Sequence, residues 1–287
     1  MTGNDTVPSR VGVLGGGRMG GGIAHAFLLA GAYVTVVERD VASADAARER
    51  IEASIDASIA RGFAGSAASL KQALTVATNY DAFGADRLVI EAVPEILEMK
   101  TEALAEIERQ LPDDAIIASN TSSIPLEQLA RYLTRPAQFI GLHFFNPVPA
   151  STLVEIVQHG ETRADLPALA AGWVRALGKT PITVQDSPGF ASSRLGVAIA
   201  LEAIRMVEEG VASAQDIDLA MELGYKHPSG PLKTTDIVGL DVRLGIAEQL
   251  ERDLGPRFAP PQLLRDMVAE GKLGRKSGQG FYNWNDK

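Results

Sequence analysis

Val11-Gly12-Val13-Leu14-Gly15-Gly16-Gly17-Arg18-Met19-Gly20 decides the fold of this chain. An apolar run leads into the spacing G-x-G-x-x-G, and a second apolar stretch follows at residues 23–30. This order predicts a buried strand, a tight turn and a helix that together bind a dinucleotide. Gly15 permits the turn, Gly17 lets the backbone approach a pyrophosphate, and Gly20 lets the helix pack against the strand. Arg18 and Met19 lie between these glycines and are predicted to bind the same cofactor.

The residue after the second predicted strand, Glu38, favours one of the two nicotinamide dinucleotides. It lies 18 residues beyond Gly20, where a carboxylate can accept hydrogen bonds from both adenosine-ribose hydroxyls. The same carboxylate repels a 2′-phosphate, so NAD is preferred to NADP. Arg39 leaves NADP open because arginine tolerates that phosphate, although it is equally typical of an exposed loop.

The first half of the chain alternates short β-branched runs with longer amphipathic stretches. This alternation predicts an α/β domain, an N-terminal Rossmann-type doubly wound and mostly parallel sheet, over residues 1–186. Helices are expected around Ile51, Ile55 and Ile59, which share one face, and over residues 95–110. Strands are predicted at 11–14, 33–37, 88–90, 115–117, 139–142, 153–157 and 180–184.

A Pro- and Gly-containing linker at residues 186–189 ends the strand pattern. Beyond it we expect an all-helical C-terminal domain over residues 187–287. Its helices are predicted at 188–209, from Ser213 onward, at 236–250, and after Pro260-Pro261 as far as Gly271. The aromatic tail at 280–284 is expected to pack back onto the fold.

Composition excludes several classes of function. The formal net charge is −9 and no long Lys/Arg cluster occurs, which argues against nucleic acid or an anionic membrane as partner. The absence of cysteine excludes disulfides, cysteine nucleophiles and cysteine-ligated zinc. No apolar run approaches the roughly 18 residues of a membrane span, and the polar N-terminus lacks a signal-peptide core. We expect a cytoplasmic protein.

His143 is the best candidate for a catalytic base among the four histidines. Oxidation of an alcohol without a metal needs a side chain that titrates near neutrality. His143 follows a predicted strand, at the sheet edge where open α/β folds bind their ligands. His25, His159 and His227 lie in structural or solvated contexts, and no two histidines have zinc spacing.

Glu155 interrupts the apolar run Leu153-Val154-Glu155-Ile156-Val157. A buried carboxylate needs a partner, and a neighbouring strand would let it accept a hydrogen bond from the His143 imidazole. A solvent-facing glutamate at a strand edge is the alternative. Ser119, Asn120, Thr121, Ser122 and Ser123 close another strand, and they either serve the site or cap a turn.

These residues carry a resemblance to the 3-hydroxyacyl-CoA dehydrogenase family, which covers nearly the whole chain. The matching segments are GGGRMG at Gly15, EAVPEILEMK at Glu91, SNTSS at Ser119, GLHFFNPVP at Gly141, LVEIV at Leu153, DSPGF at Asp186 and GRKSGQGFYNW at Gly274. The resemblance implies oxidation of an L-3-hydroxyacyl-CoA to the 3-ketoacyl-CoA, with hydride passing to NAD, and the reverse reaction. It also implies a homodimer paired through a helical substrate and dimerisation domain.

The resemblance assigns roles residue by residue. His143 matches the base, Glu155 the carboxylate that orients it, and Ser122 the hydroxyl that bonds the reacting oxygen. Ser193 stands where the family usually has asparagine, and its hydroxyl can still donate a hydrogen bond to the substrate. The remaining matches are cofactor contacts: Glu95, Lys100, Asn120 and Asn146. Lys71 is either a contact of a CoA phosphate or a surface lysine.

The sequence leaves two rival interpretations open. A related dehydrogenase acting on a free hydroxy acid, of the gulonate type, would share most of this scaffold. A non-enzymatic dinucleotide-binding protein, similar to the lens crystallins related to this family, would have no need for Ser122, His143 and Glu155.

Overall fold

The computed structural model describes residues 5–285, which form two compact units. The first ends at Ser187 and the second begins at Pro188, inside the predicted linker.

Within the described residues, the first unit is built around one eight-stranded sheet. The strands are β1 (Arg10–Leu14), β2 (Tyr33–Val37), β3 (Leu74–Ala77), β4 (Leu88–Glu91), β5 (Ile116–Ser119), β6 (Phe139–Phe144), β7 (Leu153–Gln158) and β8 (Thr180–Gln185). Their order is β3-β2-β1-β4-β5-β6-β7-β8, and all neighbours run parallel except β6 and β7. The predicted fold class, a doubly wound and mostly parallel sheet followed by helices, is confirmed.

Helices connect these strands because the crossover between parallel strands needs a long connection. They are α1 (Arg18–Leu29), α2 (Val41–Ala60), α3 (Ala67–Gln72), α4 (Leu97–Gln110), α5 (Leu126–Ala130) and α6 (Leu166–Ala176). The shared face predicted for α2 is correct, since Ile51 and Ile55 are fully buried and Ile59 packs beside them. Strand β3 was not predicted. It is a short edge strand in which only Leu74 is buried, so its apolar signal is weak.

The second unit is helical, with α7 (Ser192–Glu208), α8 (Ala214–Leu219), α9 (Pro231–Val238), α10 (Leu240–Leu254) and α11 (Gln262–Ala269). The single helix predicted at 236–250 is wrong. Gly239, with φ of 108°, ends α9 and precedes α10, and the continuous apolar pattern across it hides this break. The predicted start at Ser213 is correct because its hydroxyl caps α8 by accepting from the Asp216 amide.

Two buried aspartates hold the aromatic tail onto the helical unit. Asp236 accepts hydrogen bonds from the Phe281 and Tyr282 amides and from the Trp284 indole at 2.8 Å. Asp218 accepts from the Tyr282 hydroxyl at 2.7 Å, and burial together with this bond raises the pKa of Tyr282 well above its usual range. The tail therefore packs back as predicted.

Over residues 5–285, no helix combines the length and apolar character that a membrane crossing requires.

Candidate active site

A cavity of about 1150 Å³ opens at the carboxyl edge of the sheet, above the glycine-rich turn. Gly15 has φ of 88°, and a side chain on Gly20 would lie 1.8 Å from the Gly15 carbonyl oxygen, so both positions require glycine. Gly17 has open space where a side chain would project. The turn thus combines a tight bend, close helix packing and room for a pyrophosphate beside the first amides of α1. Arg18, Met19 and Glu38 line the same cavity.

Glu38 is held in place at the end of β2. Its carboxylate accepts a hydrogen bond from the Gly16 amide at 2.6 Å, which ties it to the glycine-rich turn. Arg39 lines the same cavity, but its side chain is 84% exposed and pairs with Asp40 at 3.1 Å. The geometry fits a ribose diol, and it places Arg39 in the exposed, loop-charge setting that was one of its two interpretations.

His143 and Glu155 face each other across β6 and β7. Antiparallel pairing puts these residues directly opposite in register, and the His143 Nδ1 to Glu155 Oε2 distance is 2.8 Å. His143 is 6% exposed and Glu155 is fully buried. Since an ionised carboxylate only accepts, Nδ1 carries the proton of the neutral ring and Nε2 is left as the basic atom. The arrangement is that of an oriented general base.

A second cavity of about 310 Å³ adjoins the first through shared residues, and Ser122 and His143 line it, whereas the fully buried Glu155 does not. It is lined by Met19, Ala92, Val93, Glu95, Lys100, Asn120, Ser122, His143, Phe144, Phe145 and Asn146. The structure therefore brings together Ser122, His143 and five predicted cofactor residues.

The loop that carries Ser122 is organised by Glu95, which lies just before α4. One oxygen of Glu95 accepts from the Ser122 and Ser123 amides at 2.9 Å and from the Thr121 hydroxyl at 2.6 Å. Burial alone would raise the pKa of Glu95. The Lys100 ammonium and the hydroxyl hydrogen bonds outweigh burial and lower the pKa to about 2. Glu95 is thus an anion at any physiological pH.

Asn120 is held by β6, the strand that carries His143. Its side-chain oxygen accepts from the Phe144 amide at 2.9 Å, which aligns the end of β5 with the end of β6. Asn146 is exposed and follows His143 by three residues, ahead of a cis peptide bond to Pro147.

Glu91 is a buried residue of this region that was not predicted from the sequence. It ends β4, is fully buried, and accepts from Lys100 at 2.7 and 3.0 Å, from the Ser119 hydroxyl at 2.6 Å and from the Val93 amide at 2.7 Å. The signal was present, since a carboxylate after the apolar run 88–90 is the same anomaly that singled out Glu155.

Other predicted residues lie apart from this cluster. Ser193 belongs to the second unit, in the first turn of α7, and its role stays a prediction. Lys71 pairs with Asp56 at 2.8 Å on the surface of α3. His25 is buried against the Ser58 hydroxyl at 3.0 Å, and His159 contacts the Pro136 carbonyl at 3.2 Å. Residues 5–285 contain no group of His, Asp and Glu arranged to hold a metal ion.

Comparison with known proteins agrees with this geometry. Two protein-family sequence models match the chain. The one described as "3-hydroxyacyl-CoA dehydrogenase, NAD binding domain" matches residues 10–187, and the one described as "3-hydroxyacyl-CoA dehydrogenase, C-terminal domain" matches residues 189–284. NAD is therefore the cofactor.

Full-length relatives and a solved structure extend the match. A 3-hydroxybutyryl-CoA dehydrogenase of Mycobacterium tuberculosis is 42% identical over 96% of this chain and 98% of its own. The human mitochondrial hydroxyacyl-coenzyme A dehydrogenase is 37% identical over 97% of this chain and 92% of its own. A crystal structure of (S)-3-hydroxybutyryl-CoA dehydrogenase from Ralstonia eutropha superposes with a TM-score of 0.93 at 38% identity, covering 98% of this chain and 100% of that one. With both of its units matched in this way, the chain belongs to the 3-hydroxyacyl-CoA dehydrogenase family.

Proposed function

We propose that this enzyme interconverts L-3-hydroxyacyl-CoA and 3-ketoacyl-CoA with NAD as the hydride carrier. The observation that carries the proposal is the His143–Glu155 pair, 2.8 Å apart, whose base shares a cavity with Ser122 beside the dinucleotide cavity. A purely structural descendant would have no reason to retain a buried base, its carboxylate and a hydroxyl at one sheet edge.

The proton transfer follows from the chemistry of the pair. Nε2 of His143 takes the proton of the 3-hydroxyl, and the ring becomes an imidazolium. The buried Glu155 carboxylate stabilises that cation and keeps Nε2 directed at the substrate. The Ser122 hydroxyl bonds the reacting oxygen, whose charge changes during the reaction. NAD, when bound, would be the acceptor of the hydride from C3.

The remaining assignments orient the two reactants. Glu95, Lys100, Asn120 and Asn146 hold the nicotinamide half of the cofactor, and Arg18, Met19 and Glu38 hold the adenosine and pyrophosphate half. Ser193 donates a hydrogen bond to a substrate carbonyl in place of the family asparagine. The names of the Mycobacterium and Ralstonia relatives support a short acyl chain, and we further propose a cytoplasmic homodimer paired through the helical unit.

The test is oxidation of NADH with acetoacetyl-CoA, followed by loss of its absorbance, beside NADPH and beside L-gulonate with NAD. Rapid NADH oxidation with the thioester is expected, with NADPH much slower because Glu38 repels a 2′-phosphate. Turnover of gulonate alone would assign the chain to a hydroxy-acid branch. Intact cofactor binding without any turnover would support a structural protein instead.

A further inference from the structure

The buried charges behind the cofactor cavity form a row of three. Glu91 is fully buried and does not line the cavity, whereas Glu95 and Lys100, the latter only 1% exposed, both line it. Lys100 lies between the two carboxylates, 2.7 Å from Glu91 and 3.1 Å from Glu95. These three groups carry two negative charges and one positive charge, so the row has a net charge of about −1 when all are ionised.

The hydrogen bonds assign different tasks to the two carboxylates. Glu91 is saturated by Lys100, Ser119 and the Val93 amide, and it does not line the cavity. Glu95 lines the cavity and binds the loop of Ser122. Because Glu91 already neutralises Lys100, the negative charge of Glu95 is left over at the cavity wall. Without Glu91, Lys100 would cancel Glu95 instead.

We propose that Glu91 is a positioning residue that acts through Lys100 to keep a net negative charge at the nicotinamide site, and so favours binding of oxidised over reduced cofactor. The inference rests on the proposed function in placing the nicotinamide beside His143. The nicotinamide ring is cationic in NAD⁺ and neutral in NADH, so a fixed negative charge stabilises only the oxidised form. The adenosine, pyrophosphate and ribose contacts are common to both forms and cancel in the ratio of their dissociation constants.

The experiment measures the dissociation constants of NAD⁺ and NADH by calorimetry, without acyl-CoA, for the full chain and its variants. In Glu91→Gln the row becomes neutral, since the Lys100 ammonium is left paired with the Glu95 carboxylate alone. A charge lost at close range in a partly desolvated site raises Kd(NAD⁺)/Kd(NADH) by about tenfold. A variant that weakens both forms equally, or leaves the ratio within about twofold of the parent, overturns the proposal.

A charge-restoring double variant separates electrostatics from geometry. Glu91→Gln with Lys100→Met removes the buried pair and leaves Glu95 ionised by its hydroxyl and amide donors, so the ratio should return to the parent value. Failure to return while both forms still bind overturns the proposal. Asp86→Asn is the matched control, a fully buried carboxylate near the other end of β4, and it should leave the ratio unchanged.

If Glu91→Gln does not fold, Glu95→Gln produces the same neutral row and must raise the ratio in the same direction. The outcome is independent of the substrate, because no thioester is present in the binding measurement. If the parent enzyme does not turn over acetoacetyl-CoA, the proposed reaction is wrong. A raised Kd(NAD⁺)/Kd(NADH) ratio in the variant would still support the role of Glu91.

Discussion

A carboxylate is buried near each end of β4, and the two carboxylates differ in their hydrogen-bond partners. Glu91 at the carboxyl end is bonded by an ammonium, a hydroxyl and an amide. Asp86, two residues before the amino end, is equally buried, yet neither of its oxygens accepts a well-formed hydrogen bond among the described residues. Arg10 lies 3.8 Å away and is half exposed.

The difference shows what each sheet edge is organised to do. At the carboxyl edge, polar side chains converge around a cavity and form hydrogen bonds with one another. These bonds lower the free-energy cost of burying an ionised carboxylate. At the amino edge, desolvation dominates. Burial raises the pKa of Asp86 to about 6, opposed only in part by the Thr35 hydroxyl and the Arg10 guanidinium. We expect changes at the carboxyl edge to alter catalysis and cofactor binding as well as stability, and changes at the amino edge to alter stability alone.

The largest effect is expected for His143→Gln. Loss of the general base should lower kcat by about two to four orders of magnitude, while NADH binding changes little. Steady-state kinetics with acetoacetyl-CoA and calorimetry with NADH measure the two quantities. Because His143 and Glu155 act as a unit, the double variant with Glu155→Gln should be scarcely slower than His143→Gln alone. Retention of most activity by His143→Gln would disprove the assignment of the base.

Glu91→Ala tests the satisfied end of β4. It leaves the Lys100 ammonium buried with only Glu95 as its ionic partner, which should cost about 3 kcal/mol in the free energy of unfolding. Urea titration of the cofactor-free protein measures this loss. A loss below about 1 kcal/mol would show that the Glu91–Lys100 pair contributes no more to stability than a surface ion pair. The contrast between the two ends of β4 would then be wrong.

Asp86→Asn tests the unsatisfied end through pH. The pKa of Asp86 is raised from 3.8 to about 6 on folding, so the folded state favours the protonated form. The stability that this group contributes is present below about pH 4 and is lost as pH rises through 6. The variant lacks that titration, so its stability relative to the parent should increase by about 1–3 kcal/mol between pH 4 and pH 8.

Urea unfolding of both proteins at the two pH values checks this expectation. A difference that does not change with pH would mean that Asp86 is ionised in the folded protein and that its charge is compensated after all.

The smallest effect is expected for Arg39→Ala, and it sharpens the comparison. Arg39 follows the carboxyl end of β2 and lines the dinucleotide cavity, but its side chain is exposed to solvent. Its removal should change the affinity for NAD by less than about threefold, because exposed charges are well screened. Calorimetry with NAD and NADP measures the change. A tenfold loss of NAD affinity would show that an exposed side chain at the carboxyl edge, such as Arg39, contributes to cofactor binding without being buried.

Much of the site could be predicted from local patterns, with the reasons visible in single segments. The glycine spacing and Glu38 predict the cofactor site, and the buried position of Glu155 predicts a partner. Glu91 was missed although it shows the same pattern and its partner Lys100 is only nine residues away; only the contact with Ser119, 28 residues away, has no local signal. Strand β3 and the break at Gly239 were missed because an edge strand and a helix junction leave the apolar pattern almost unchanged.

The sequence by itself determined most of the strands and helices along the chain, the dinucleotide turn and most of the polar residues at strand ends, because these depend on local patterns. Only the tertiary structure decided which of those residues meet. The antiparallel pairing of β6 and β7 puts Glu155 opposite His143, and the parallel pairing of β4 and β5 puts Glu91 beside Ser119. Pairing between distant strands decides which buried carboxylates find hydrogen-bond donors. Whether a buried carboxylate keeps its charge depends on those partners and not on its own position in the chain.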